Sequence, residues 1–124
     1  MIKVKSIVAE PSDDDGFRVF VEPVWPGQAP NEKRIPDIWF RDLAPGPELY
    51  SRYLSGILKW EDFLVRYHRE LERCTGYFRD LQDYNRSGVL TVLHASPDPE
   101  HNIAVALKMF MEKNDPGTGR DEFR

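Results

Sequence analysis

Val89-Leu90-Thr91-Val92-Leu93, running straight into His94-Ala95-Ser96-Pro97-Asp98-Pro99-Glu100-His101-Asn102, decides the fold. A short, nearly unbroken apolar run predicts a strand covered on both faces, the habit of a parallel sheet buried under other elements. Asp98 followed by Pro99 reads as an N-cap and a first-turn proline. Ile103, Ala106, Leu107, Phe110 and Met111 then supply the buried side of the helix they open. A strand that turns directly into an amphipathic helix is the building unit of an α/β domain.

Working outward, Ile2, Val4 and Val8 alternate with Lys3 and Lys5, which predicts a strand over residues 2–8 with one buried face. Proline, acids and glycine crowd residues 10–16 and predict a loop or a single helical turn. Phe17-Arg18-Val19-Phe20-Val21 is a second strand, central or nearly so. The link between these strands, residues 9–16, is short for a parallel crossover and would more naturally join antiparallel neighbours. Pro23 and Pro26 end ladder pairing, so Trp25-Pro26-Gly27-Gln28-Ala29-Pro30 reads as an irregular loop anchored by Trp25.

Ile35, Ile38, Trp39 and Leu43 repeat at three-to-four-residue intervals and predict a short helix over 36–43, stopped by Pro45-Gly46-Pro47. Leu49, Tyr50, Tyr53 and Leu54 predict another over 47–54. Trp60, Phe63, Leu64, Tyr67, Leu71, Cys74, Phe78 and Leu81 draw one stripe along a helix of about six turns over 60–81. Gly76 inside it costs ~1 kcal/mol relative to alanine and marks a place for a bend. The expected architecture is α/β: a small, mostly parallel sheet of three or four strands covered by helices, one of them long and amphipathic. Residues 1–114 form the single domain and 115–124 a flexible tail, since Gly117, Gly119 and mixed charge promise little packing.

With 124 residues, of which 40% are hydrophobic and 31% charged, the chain has material for one packed core and a polar exterior. A formal charge of -4 argues against binding to a phosphate backbone, so nucleic acid is not an expected partner. Arg66, Arg69 and Arg73 fall on one stretch, but Asp62, Glu70 and Glu72 interleave with them as in a solvated ion-pair face. The single cysteine, Cys74, rules out an internal disulfide or a multi-cysteine zinc site. No run approaches the ~18 apolar residues of a membrane span, and Met1-Ile2-Lys3-Val4-Lys5 lacks the pattern of a secretory signal. The expected address is the cytoplasm, with no membrane association.

The junction after the 89–93 strand holds His94, Ser96, Asp98, His101 and Asn102, more functional side chains than any other window. Backbone amides at such a strand–helix junction face whatever occupies the strand's carboxyl end. Asp98, however, suits a helix start and Ser96 a turn, and this structural reading outweighs the ligand reading. His94 and Ser96 share a strand face without catalytic geometry, and no glycine-flanked nucleophile elbow surrounds Ser96. Spacings of His94 and His101 match no closed metal site. His68 belongs at the edge of the helical stripe, and Cys74 on it. No phosphate-cradling loop or dinucleotide fingerprint is present. Neither a cofactor nor a metal is expected.

The ordered blocks Met1-Ile2-Lys3-Val4-Lys5, Asp15-Gly16-Phe17-Arg18-Val19-Phe20-Val21, Trp25-Pro26, Asp42-Leu43-Ala44-Pro45 and Glu100-His101-Asn102-Ile103-Ala104-Val105 together resemble the YeaO-like branch of the domain-of-unknown-function 488 family. The resemblance runs from residue 1 to about 113 and implies an α/β domain with characteristic clusters after its second and last strands. In that branch the second strand usually leads into Asp-Arg-Leu-Trp-Pro-Arg-Gly, whereas this chain reads Glu22-Pro23-Val24-Trp25-Pro26-Gly27-Gln28. The acid survives as Glu22 and the Trp25-Pro26 pair is kept. Both arginines, whose forked donors would clamp an anion, are gone. More distant relatives carry a cysteine near the end of the last strand, where Ala95 and Ser96 stand here, so a thiol mechanism does not transfer. A transcription-regulator label borne by some relatives finds no helix-turn-helix unit to support it.

These readings converge on a noncatalytic or weakly active domain that binds a small polar ligand. Its cleft would form at the strand carboxyl ends from Glu22, Trp25, His94, Ser96, Asp98, His101 and Asn102. That cleft needs the strands at 17–21 and 89–93 to run parallel. The first alternative is an enzyme using His94 or His101 for proton transfer, oriented by Glu22. The second is a protein-interaction module using the tyrosines at 50, 53 and 84.

Overall fold

The computed structural model describes residues 1–25 and 35–114. Four strands, β1 (Ile2–Ser6), β2 (Phe17–Phe20), β3 (Ile38–Trp39) and β4 (Leu90–His94), form one sheet in the order β1-β4-β2-β3, every pair parallel. Among the described residues four helices accompany it: α1 (Pro47–Leu54), α2 (Trp60–Leu71), α3 (Thr75–Ser87) and α4 (Ile103–Asn114). The apolar run that opened the sequence reading is the inner strand β4, buried at every residue.

Registry separates the two faces of the sheet. Ile2, Leu90 and Phe17 form one row and Val4, Val92 and Val19 another. These rows pack on Phe63, Tyr67, Leu71, Leu81, Ile103, Leu107, Phe110 and Met111 of the helices. Alternation turns the row between them, Lys3, Thr91 and Arg18, to the opposite face. There Lys3, Lys5 and Arg18 close on Asp15, which is 1% exposed. Farther along that face Ile7, Phe20 and Leu93 bury against Trp25 and Trp39. Val8, expected to point inward at the end of a longer strand, is exposed, because β1 stops at Ser6 and a turn from Ser6 to Ala9 buries Ile7 instead.

The short link between β1 and β2 does make a parallel connection. It must return the length of a strand, ~16 Å, and step across β4, ~10 Å. Residues 7–16 can span about 33 Å when extended, so they cross with only one helical turn, Asp13–Asp15, and no inserted helix. Gly16 makes this route passable. Its φ is +65°, and a Cβ there would lie 2.1 Å from the Val89 carbonyl oxygen. That oxygen accepts from the Phe17 N–H at 2.9 Å, which starts β2 in register.

Three expected helices change form. Residues 36–43 give β3 and a single turn, Arg41–Leu43, in place of a helix. The open edge of β2 explains this: Asp37 N–H donates to the Arg18 carbonyl, Phe40 N–H to the Phe20 carbonyl, and Asp37 Oδ2 accepts from Arg18 N–H. The 60–81 stripe is two helices, broken at residues 72–74 and not at Gly76. Arg73 and Cys74 N–H groups bond three residues back, the tightening that closes α2. A Cβ at Gly76 would meet nothing, so no close approach demands glycine there. Finally α4 begins at Ile103, because Asp98 Oδ1 is used by the N–H groups of Glu100 and His101 within a turn. Asn102 is the actual cap: its Oδ1 accepts from Val105 N–H at 2.9 Å and its carbonyl from Ala106 N–H. The 47–54 helix forms as expected, with Pro47 in its first turn. The tail at 115–124 and the loop beyond Trp25, through Pro30, lie outside the described residues.

Candidate functional site

Because β2 and β4 are parallel neighbours, the peptides after Val21 and after Leu93 leave the sheet by the same rim. Glu22 ties them together. Its Oε2 accepts from the Ala95 N–H at 3.1 Å, its Oε1 accepts from the Tyr50 hydroxyl at 2.8 Å, and its carbonyl accepts from Trp39 Nε1 at 2.7 Å. At 5% exposure such a carboxylate needs donors, and both of its oxygens have one. Burial, reinforced by the Glu22 charge, pushes the Tyr50 phenol far above its ordinary pKa, so it stays a neutral donor. Trp25 completes this corner, with its ring against Phe20 at 5.3 Å and Trp39 at 5.1 Å.

The cluster after β4 divides. His94 is buried, and its Nδ1 accepts from the Ser96 N–H at 3.1 Å, which leaves the ring proton on Nε2. Burial lowers its pKa, so the ring is neutral near pH 7. His94 and Ser96 line a cavity of about 320 Å³ with Val4, Ser6, Pro97 and Pro99, toward β1. Ser96 Oγ accepts from Asp98 N–H. His101 stands elsewhere: it stacks on Trp60 at 4.8 Å, its Nδ1 is 3.9 Å from Asp98 Oδ2, and its carbonyl accepts from Tyr53. Between it and Glu22 stand the packed rings of Tyr50, Phe63 and Tyr53. Asn102 is buried and its side chain is committed to the cap, Nδ2 donating to the Asp98 carbonyl. The residues expected in one cleft therefore fall into a strut (Glu22 with Trp25), a small cavity (His94 with Ser96) and a helix-start turn (Asp98, His101, Asn102).

A larger opening on this rim lies toward β3. Pro23, Val24, Trp39, Arg41, Asp42 and the 44–47 turn line a cavity of about 700 Å³. A second cavity of about 490 Å³ shares Pro23, Val24 and Pro47 with it and continues along Tyr50, Ser51 and Leu54. The Arg41 guanidinium lies 5.0 Å over the Trp39 ring, and Trp39 is fixed from behind by Glu22, Phe20 and Trp25. Among the described residues neither Arg41 nor Asp42 forms a side-chain ion pair, with each other or with a neighbour. Sequence reading missed this pair because it placed both on a helix. The signal was present in Trp39, Arg41 and Asp42 standing directly before a Pro-Gly-Pro turn.

Other groups are committed elsewhere. The Cys74 thiol is pushed up by burial and faces the carbonyls of Asp42 and Glu70, so it is not an activated nucleophile. His68 bonds the Ala106 carbonyl at 2.9 Å. Among the described residues no three histidine, cysteine or carboxylate groups gather as they would to hold a metal. No helix of the described residues is long and apolar enough to cross a membrane.

Comparison with known proteins places this chain in a family. Uncharacterised proteins of Mycobacterium tuberculosis and Mycobacterium bovis are each 31% identical over 111 residues, covering 89% of this chain and 92% of theirs. The Escherichia coli protein YeaO is 24% identical over 106 residues, 86% of this chain and 92% of its own. No solved structure matches. A family model described as the inactive DUF488-N3 subclade matches residues 1–119; the chain belongs to that subclade, a YeaO-like part of the DUF488 family.

Proposed function

We propose that this protein is a noncatalytic domain that binds a small polar ligand at the carboxyl rim of its sheet, in the cavity bordered by Trp39 and Arg41. The observation that carries the reading is the contrast at that rim between occupied and unoccupied polar groups. Glu22, the acid best placed for proton transfer, has both carboxylate oxygens engaged by Tyr50 and Ala95. The neighbouring cavity keeps a cation and a carboxylate without ion-pair partners among the described residues. Ligands of open parallel sheets gather at this rim.

The enzyme alternative requires a histidine within hydrogen-bond reach of a carboxylate inside a pocket. Among the described residues none is found: His101 and Asp98 are 3.9 Å apart in the open, and His94 is bonded to a backbone N–H. The description of the subclade as inactive points the same way. The three tyrosines are engaged within the fold, Tyr50 bonding Glu22, Tyr53 stacking on Phe63 and Tyr84 stacking on Phe17 at the opposite rim, which favours the ligand reading over an interaction surface.

A thermal-shift screen over small metabolites tests the proposal. A ligand present at a hundredfold its dissociation constant stabilises by ~2.7 kcal/mol, and its binding is expected to quench or shift the emission of Trp39. Hits that instead perturb only the His94 cavity would move the site. Turnover that disappears on replacing His94 or His101, with folding intact, would overturn the noncatalytic reading.

A further inference from the structure

Arg41 and Asp42 are adjacent in sequence, opposite in charge, and line one cavity, yet they do not pair. Each has its side chain supported or free in a way that suits a guest. Arg41 has its guanidinium held 5.0 Å over the Trp39 ring, a contact that uses none of its N–H donors on an anion and limits the rotamers to be frozen on binding. Asp42 is exposed on the same wall and offers two acceptor oxygens. A ligand carrying only an anion would satisfy Arg41 and be repelled by Asp42. A simple cation would do the reverse. A guest with both charges on neighbouring atoms satisfies both.

The adjoining surface specifies the rest of the guest. Val24, Pro23 and Pro47 carry the cavity into a second one bordered by Leu54, where the lining is mostly apolar, Ser51 and Ser55 aside, and the prolines are rigid. Val24 and Leu54 are 73% and 66% exposed, more than their packing would demand.

We infer that this rim recognises a free α-amino acid with an apolar side chain: Arg41 takes the carboxylate, Asp42 the ammonium, and the side chain lies along Val24, Pro47 and Leu54. The inference rests on the ligand-binding reading and names its ligand class. The functional groups come from the exposed turn, while Trp39 and Glu22 act as positioning residues behind them.

The test is a titration by calorimetry and heteronuclear NMR with L-leucine and L-phenylalanine. In parallel come 4-methylpentanoate, which keeps leucine's carboxylate and loses its ammonium, and isoamylamine, which keeps only the ammonium. Shifts centred on the Trp39 indole and Leu54 methyls are expected with the amino acids. Each one-charge analogue should bind roughly tenfold weaker or worse, and Arg41→Gln and Asp42→Asn should each lose a similar factor. Both positions are exposed, and an unfolding curve matching the parent's verifies that the variants fold. Binding of 4-methylpentanoate as tight as leucine, unaffected by Asp42→Asn, would overturn the amino-acid assignment while leaving an anion-binding rim. A ligand from the screen that binds here although no amino acid does would overturn it equally. Absence of any ligand that moves the Trp39 signal would overturn the rim site itself.

Discussion

Asp15 is 1% exposed and meets Lys3, Lys5 and the Arg18 guanidinium on the face of the sheet turned from the helices. Asp42, exposed at the rim, meets no cation among the described residues. The two carboxylates show how this chain divides its charges. Around Asp15 every donor serves the connection from β1 to β2: Ser12 N–H also bonds Oδ2, and the Thr91 hydroxyl bonds the Asp15 carbonyl at 2.6 Å. Around Asp42 nothing architectural depends on the charge. Charges of the first kind are read by what happens to folding, and those of the second by what happens to binding.

The largest effect is expected from Asp15→Asn. Three cations converge there on one carboxylate, and Arg18 Nη2 already lacks a hydrogen-bond partner among the described residues. Removing the central carboxylate of a buried charge cluster costs 3–5 kcal/mol as a rule; the lysine heads keep some water and the Asp14 and backbone oxygens beside them, which favours the lower end, about 3 kcal/mol. Thermal denaturation should then move down by roughly 10 °C or more. The pH dependence follows in sign. Burial alone would raise the Asp15 pKa, but the Ser12 N–H and the ammonium groups of Lys5 and Lys3 outweigh it and hold it below the ordinary 3.8. A carboxyl lowered on folding stabilises above its unfolded pKa and loses that contribution as pH falls through its folded value. The variant should therefore show a shallower loss of stability below about pH 4, with Asp14 and Asp98, also lowered, supplying what slope remains. An unchanged acid limb would mean that the cluster is not paired in solution.

Glu22 lies between these extremes, at the functional rim but engaged like Asp15. Tyr50→Phe removes one of the two donors to its carboxylate, leaving the Ala95 N–H, while keeping the ring against Phe63. A hydrogen bond to a charged group contributes about 1.5–3 kcal/mol, and water entering beside Val24 recovers part of it, so a loss of about 1–2 kcal/mol is expected from chemical denaturation. No loss would show that Glu22 is held by the Ala95 amide alone.

How far such distinctions can be read from sequence depends on the distance over which they are encoded. β4 was legible because five successive residues carry the pattern of burial, and α1 because Pro47 and its apolar side are local. β3 was not, since its two residues are too few to show a period and its existence depends on the free edge of β2, some twenty residues away. The break at residues 72–74 was hidden because Leu71, Cys74 and Phe78 continue the helical spacing across it, and the two helices still turn the same side to the core. Asp15 draws partners from positions 3, 5 and 18 on two strands, a convergence that appears only once the strand order is known. At the candidate site the sequence brought Glu22 and the β4 rim together correctly, because both follow parallel strands. It placed His101 there as well, because reading Asp98 as the cap started α4 too early and hid the turn that carries His101 onto Trp60.

The smallest effect on stability, and the sharpest separation of the two kinds of charge, is expected at Arg41. Its guanidinium contributes a cation–π contact with Trp39 in the open, ~0.5–1 kcal/mol at most, and side-chain entropy regained by glutamine offsets part of that. Arg41→Gln should therefore unfold within about 0.5 kcal/mol of the parent while altering the Trp39 emission, because a charge leaves the face of the indole. If it destabilised as much as Tyr50→Phe, Arg41 would have to be counted with Asp15 as architecture. An unchanged unfolding curve with altered emission keeps it with Asp42, as a charge the fold leaves free for something else to meet.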